Sequence, residues 1–255
     1  MPGSFLSTTV AMIGFLLHFY FTYIYECIFT ICKTTTRNPI LARRTKEDAL
    51  ATRHSLLDAA ELLFQAQGVS RTSLNDIARS AGTSRGAIYW HFKDKADLFN
   101  AMMERVTLPL EQAFQFQYPE KVPDTDPLER IRQVIRDALR QIATDARTRR
   151  VFEVATQKVE YVDELQAVRV RHLTVRNGFL VQMEHGLALA VAAENLTIRV
   201  SLATAAQGLH AITDGLIQNW LLDTTAFDLV ASSEQVIEIY LAGLGFRIKP
   251  GSKPE

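Results

Sequence analysis

Cysteine is nearly missing from this 255-residue chain: there are two, Cys27 and Cys32, both in the first forty residues. That excludes a disulfide framework and a Cys-rich zinc module. An excess of either charge is missing too, with 28 Lys+Arg against 28 Asp+Glu. Bulk positive charge is therefore no basis for holding nucleic acid, and only a locally basic face is left open. No phosphate-cradling glycine loop, Gly-x-Ser-x-Gly, His-Glu-x-x-His or carboxylate cluster at metal spacing occurs; each is a signature of a particular chemistry. His18, His54, His172 and His185 stand isolated in the sequence. No catalytic residue, metal ligand or cofactor is expected. Convincing strand alternation, internal repeats and low-complexity tracts are absent as well. What is present, 47% apolar and 22% charged residues, suits a globular protein.

The N-terminus is a separate problem. From Phe5 to Cys32 the sole charged residue is Glu26, and a helix of about 20 such residues crosses a bilayer. No Lys or Arg precedes the run and no clean small-x-small site follows it, so it is a poor signal peptide. As a membrane anchor, it would be followed by Lys33, Arg37, Arg43 and Arg44, which hold the downstream chain in the cytoplasm. The other reading is a start assigned too far upstream. Leu41 is then an alternative bacterial start codon, opening a short basic arm from Ala42 to Lys46, and the chain that remains has no thiol, as suits a reducing compartment. Either way residues 1–40 stand apart, and the rest is expected in the cytoplasm, inner-membrane anchored only if the leader is genuine.

From residue 41 onward the pattern reads as all-α. Residues 41–106 carry 10 basic and 8 acidic groups, and 107–255 carry 16 and 19. Leu56, Leu57, Ala60, Leu63 and Phe64 form one apolar face over Thr52–Gln67, which Gly68 ends. Ser73 opens a second helix with Asp76 as a short capping box, and Gly82 stops it. Thr83 or Ser84 caps a third through His91, and Asp94 with Asp97 starts a fourth. Pro119, Pro123 and Pro127 break the chain around Tyr118–Asp126, and helices are expected at 127–145, 147–160, 163–192, 197–222 and 233–246.

Two short helices joined by Ala81-Gly-Thr-Ser84 make a helix-turn-helix, whose second helix must fit a major groove about 12 Å wide. Ala87, Ile88 and Phe92 are its buried anchors. Arg85, at its N-terminal end, can reach a guanine edge with two donors. Gly86 and Ala87 are small enough for close approach to the bases. Tyr89, Trp90 and His91 pair flat apolar bodies with hydrogen-bonding tips suited to phosphate oxygens. Lys95, at the start of the fourth helix, adds its charge to the helix dipole for one more phosphate.

The run from Thr52 to Phe64 and the run Thr83-Ser-Arg-Gly-Ala-Ile-Tyr-Trp-His-Phe-Lys-Asp-Lys95 through Phe99 resemble the TetR/AcrR family of repressors, continuously from Ala42 to Val106. Ala42–Ala49 is similar to the N-terminus of the subgroup that regulates multidrug efflux pumps. The resemblance implies DNA contacts at Ser73, Thr83, Arg85, Gly86, Tyr89, Trp90, His91 and Lys95. Thr83-Ser84 replaces the frequent Val-Thr at the turn, which leaves the base contact there open.

Asp145–Arg150, Glu153, Lys158–Tyr161 and Asp214–Leu222 resemble, more patchily, the efflux-regulator C-terminal domain. The resemblance implies an all-α effector-binding and dimerisation domain over 107–255. It also implies a homodimer joined by its last two long helices, and Phe152, Thr156, His210 and Asp214 as residues lining the effector site. His210 and Asp214, at i and i+4, can equally form an internal ion pair. The stretch 197–222 is apolar on more than one face, and Gly208, Ala211 and Gly215 allow close helix approach within or between subunits. Arg147, Arg149 and Arg150 read as a solvated face. The function implied is a ligand-responsive repressor of an efflux operon and of its own gene. It would be released from a palindromic operator by a small amphipathic effector. The alternative is a membrane-tethered DNA-binding receptor anchored by residues 1–40.

Overall fold

Short polar residues and glycines punctuate the chain, and helices fall between them. The computed structural model describes residues 39–116 and 126–247, so the apolar leader and most of the proline-rich break lie outside the described residues. The chain divides into two compact units, Met1–Leu50 and Ala51–Glu255. In the first, the described residues are helical and belong to α1 (Pro39–Gln67).

In the second unit, Gly68 ends α1 at φ +85°, a left-handed conformation that glycine adopts without strain. Ser73 caps α2 (Leu74–Ser80) with a complete capping box: its hydroxyl accepts from the Asp76 N–H while the Asp76 carboxylate accepts from the Ser73 N–H. Gly82, at φ +66°, turns the chain, and Ser84 caps α3 (Arg85–His91) by accepting from the Ala87 N–H. Asp94 accepts from the Asp97 N–H at 2.8 Å and Asp97 accepts from the Lys93 N–H at 2.9 Å, opening α4 (Lys95–Phe116). This helix runs on through position 106/107, so the expected domain boundary falls inside a continuous helix.

Next come α5 (Pro127–Thr144), α6 (Ala146–Gln157), a 3-10 turn at Asp163–Leu165, α7 (Gln166–Ala193), α8 (Leu202–Leu222) and α9 (Leu229–Leu244). Helix α8 begins five residues later than its apolar pattern suggests, because Ser201 caps it by accepting from the Thr204 N–H. Helix α9 begins four residues earlier, because Asp228 accepts from the Ala231 N–H. Among the described residues there are nine α-helices and no strand, an all-α architecture.

Two apolar cores form. The first joins α1 to α4 through Leu56, Leu57, Phe64, Ile77, Ile88, Phe92, Leu98, Phe99 and Met102, and it admits Val151 and Val154 of α6. The second joins α5, α7, α8 and α9 through residues such as Ile135, Leu139, Met183, Leu187, Leu209, Trp220 and Leu241. Each fully buried Leu, Ile or Phe contributes roughly 1.5–3 kcal/mol relative to exposure. Phe152 on α6 packs against both cores. Helices α5 and α9 are tied by Arg132 to Glu238 and by Arg136 to Glu234, each at 2.5 Å. Gly208 of α8 is approached from within the same chain: the Tyr240 hydroxyl donates to the Ala205 carbonyl at 2.9 Å, directly over the site where a Gly208 Cβ would stand.

Candidate nucleic-acid interface and effector site

Helix α3 buries little besides Ile88, and Phe92 seals its end. Its other side is open: Arg85, Gly86, Tyr89 and Trp90 are exposed, Trp90 at 74%. Tyr89 beside it is 49% exposed. Arg85 lies with its guanidinium 5.7 Å from the Tyr89 ring centre, and Trp90 meets His91 edge-on at 4.6 Å. A Cβ at Gly86 would touch nothing but the Ser84 hydroxyl, so this stretch of backbone is free to be approached. Burial first, and the nearby Arg53 second, lower the pKa of His91 and favour the neutral imidazole.

The remaining expected DNA contacts are placed less openly. Ser73 is exposed, but its hydroxyl donates to Asp76 at 2.6 Å and is committed to the cap. Thr83 is half-buried, with its hydroxyl 3.4 Å from the Ala78 carbonyl. Lys95 is the most enclosed of them. It is buried, and its ammonium lies 3.3 Å from Glu164 and 3.5 Å from the Ser70 carbonyl. The carboxylate arrives from the turn after α6, which the sequence around Lys95 gives no means of foreseeing.

Of the expected effector residues, Phe152 and Thr156 lie on α6, and His210 and Asp214 lie on α8. Phe152, Thr156, His210 and Asp214 are all half-buried. The Thr156 hydroxyl donates to the Phe152 carbonyl at 2.8 Å, within its own helix. His210 lies 5.4 Å from the Phe179 ring, and Asp214 accepts from Gln218 at 2.5 Å. Burial lowers the His210 pKa most; Asp214 opposes this, and Arg176 and His172 reinforce it. Asp214 also bears on Tyr161, whose ring lies 6.5 Å from His172. Tyr161, His172, Arg176 and Phe179 therefore belong to the neighbourhood of His210. Sequence reasoning left His172 isolated because its partners lie on other elements.

The arginines of α6 are not simply a solvated face. Arg147 reaches Asp58 at 2.9 Å and Glu61 at 3.7 Å, Arg150 reaches Glu61 at 3.3 Å, and Arg149 lies over Trp220. Arg105 of α4 joins both acids, Asp58 at 2.9 Å and Glu61 in close contact. The connection 158–165 adds further ties to the helix-turn-helix: the Val69 N–H donates to the Lys158 carbonyl at 3.0 Å, and Ser70 donates to Glu160 at 3.3 Å.

Comparison with known proteins places the two domains in a family. Residues 56–102 match the family described as bacterial regulatory proteins, tetR family, and residues 126–246 match the C-terminal region of MAATS-type transcriptional repressors. The chain is 35% identical over 201 residues to the HTH-type transcriptional regulator AcrR of Shigella flexneri, covering 79% of this chain and 93% of that protein. It is 37% identical over 206 residues to the HTH-type transcriptional repressor BepR of Brucella suis, covering 79% and 96%. Among solved structures it resembles NalD, the secondary repressor of the MexAB-OprM multidrug efflux pump in Pseudomonas aeruginosa. That match has a TM-score of 0.70 and 35% identity, and covers 78% of this chain and 98% of the other. It also resembles the SmeT–triclosan complex, with a TM-score of 0.69 and 29% identity, covering 80% and 98%. With its helix-turn-helix, its all-α second domain and these relatives, the chain belongs to the TetR family of transcriptional regulators.

Proposed function

We propose that this regulator is a cytoplasmic, homodimeric repressor of a multidrug efflux operon and of its own gene, released from its operator by a small amphipathic effector. The observation that carries the reading is helix α3, which keeps Arg85, Tyr89 and Trp90 in solvent while Ile88 and Phe92 hold it to the core. Arg85 supplies a bidentate donor to a guanine edge, Gly86 lets the backbone close on the groove, and Tyr89, Trp90 and His91 meet the phosphate wall. Ser73 and Thr83 lend backbone-side contacts at the helix ends.

Two copies of α3 about 34–36 Å apart read successive major grooves of a near-palindrome. The dimer face is the open side of α8 and α9. Ala203, Gln207, Ala211, Gln218 and Leu222 recur along one side of α8, and Val236, Ile239 and Gly243 along α9; Leu222 is 73% exposed and Ile239 70%. The effector enters among Phe152, Thr156, His210 and Asp214, flanked by Phe179 and Tyr161, a mixture of rings and hydrogen-bonding tips that suits an aromatic compound with a polar group. It shifts the dimer only by as much as it prefers the form that does not bind DNA.

A gel-shift titration against the chain's own upstream intergenic DNA, with random competitor duplex, tests the reading. Competitor-resistant retardation that aromatic amphiphiles relieve is the expected result. Binding no tighter than to random duplex rules out autoregulation from that region.

A further inference from the structure

We propose that Glu164 is a built-in competitor of DNA for Lys95: its carboxylate holds the ammonium when no DNA is bound, and a backbone phosphate must displace it to take that charge. The proposal rests on the DNA-binding reading above, in which Lys95 gives its charge to a phosphate. The ammonium lies 3.3 Å from the carboxylate and 3.5 Å from the Ser70 carbonyl. The Lys95 side chain is 8% exposed, whereas that of Glu164 is 60% exposed. The carboxylate is presented from a fixed base. Leu165, next to it, is fully buried, and its N–H donates to the Val162 carbonyl at 2.8 Å across the 3-10 turn Asp163–Leu165. Ahead of the turn, the Lys158 carbonyl accepts from the Val69 N–H and Glu160 accepts from the Ser70 hydroxyl. The Glu160 carboxylate thus meets a neutral hydroxyl, while Glu164 meets the cation.

An ammonium has several donors but a single charge. The neutral Ser70 carbonyl can keep one N–H while a phosphate takes another. A carboxylate cannot share so easily, because two anions on one ammonium repel each other. The phosphate therefore gains the lysine at the expense of the Glu164 pair. Most of the Glu164 side chain is already in water, so a rotation of that side chain releases it and the buried Leu165 need not move. A pair this exposed is weak, and the competition lowers DNA affinity by about two- to fivefold without abolishing it. Glu164 is accordingly a positioning residue that acts through Lys95. The connection that presents it also carries Tyr161, whose ring lies 6.5 Å from His172. The brake on DNA binding is thus carried by the segment that borders the proposed effector residues.

The test measures binding of the full chain to two duplexes, its own upstream intergenic DNA and a mixed-sequence control, between about 50 and 200 mM salt. Glu164→Gln is expected to tighten binding to both by about two- to fivefold. Lys95→Met, which keeps the apolar stem, is expected to weaken both and to flatten the slope of log K against log salt by about one. In the Lys95→Met background, Glu164→Gln is expected to lose more than half of its gain in log K, which a charge acting on DNA directly would retain. Glu160→Gln removes the same charge from the same connection and is expected to give less than half that gain. Circular dichroism melts establish that each variant is folded at the temperature of measurement. Should Lys95→Met not fold, the comparison of Glu164→Gln with Glu160→Gln decides alone. No gain in Glu164→Gln, a gain at least half of which survives Lys95→Met or is matched by Glu160→Gln, or an unchanged slope in Lys95→Met overturns the proposal. Failure of the unsubstituted chain to bind either duplex overturns the DNA-binding reading along with it.

Discussion

Arg150 of α6 brings its guanidinium to 3.3 Å from the carboxylate of Glu61 on α1, which is 1% exposed. Arg105 of α4 contacts the same carboxylate, so three helices meet on one buried charge. A buried carboxylate is tolerated only while its partners remain, and removing one partner of such a pair costs about 3–5 kcal/mol. Because Arg150 and Arg147 stay in place, Arg105→Met is expected at the lower end, about 3 kcal/mol, in urea unfolding. Arg140→Ala, which removes an exposed pair with Asp137, should change stability by less than about 1 kcal/mol. Equal effects of the two would mean that Glu61 does not depend on Arg105.

Removing Arg85, the side chain proposed to reach the base edges, should alter specificity as well as affinity. Arg85→Ala is expected to cost about 1–3 kcal/mol of operator binding and to relax preference at a single base position per half-site. Selection of bound sequences from a randomised pool reads both effects. A uniform loss with an unchanged base preference would move Arg85 to the phosphates.

The His210 pKa lies below its ordinary value, chiefly through burial, with Asp214 opposing and Arg176 and His172 reinforcing. For a histidine depressed in the folded state, the unfolded chain binds the proton first as pH falls. Its contribution to stability is therefore complete above about pH 6.5 and is lost as pH drops from there through the lowered folded value. Urea midpoints measured on either side of that window should fall less on acidification in His210→Phe than in the unsubstituted chain. Parallel losses would remove His210 as the source.

Gly208 has no room for a side chain. A Cβ there would collide with the Tyr240 hydroxyl, whose bond to the Ala205 carbonyl would have to break. Overpacking of this kind costs about 1–3 kcal/mol, more than the roughly 1 kcal/mol that alanine gains over glycine in a helix. Gly208→Ala should therefore be less stable than the native chain, with Tyr240→Phe in the same background restoring part of the loss. A more stable Gly208→Ala would show that Tyr240 moves aside freely. Gly215, with nothing within 4 Å of its Cβ position, should accept alanine in the isolated subunit.

The helix-turn-helix was legible because its signals are local. Ser73 with Asp76, Ser84, and Asp94 with Asp97 each close a loop of three residues, and each caps the helix that the spacing predicts. The ends of α8 and α9 were harder to read, since apolar periodicity runs past the Ser201 cap and begins short of the Asp228 cap. What could not be read was charge pairing across the fold. Arg147 and Asp58 are 89 positions apart, so the arginines beside Thr148 looked solvated. The inward turn of Lys95 and the company of His172 were hidden for the same reason.

The connection 158–165 serves two masters. Tyr161 faces the neighbourhood of His172 and Asp214, while Lys158, Glu160 and Glu164 hold Val69, Ser70 and Lys95 beside the recognition helix. Both sets of contacts fall within these eight residues. Under the proposed effector site, a line that alters Tyr161 to admit a new compound would also change how tightly the gene is silenced when no compound is present. Chemical taste and basal leakiness would then be inherited together. Selection for one drags the other, and second mutations in α1 or α4 are the natural place to undo the damage.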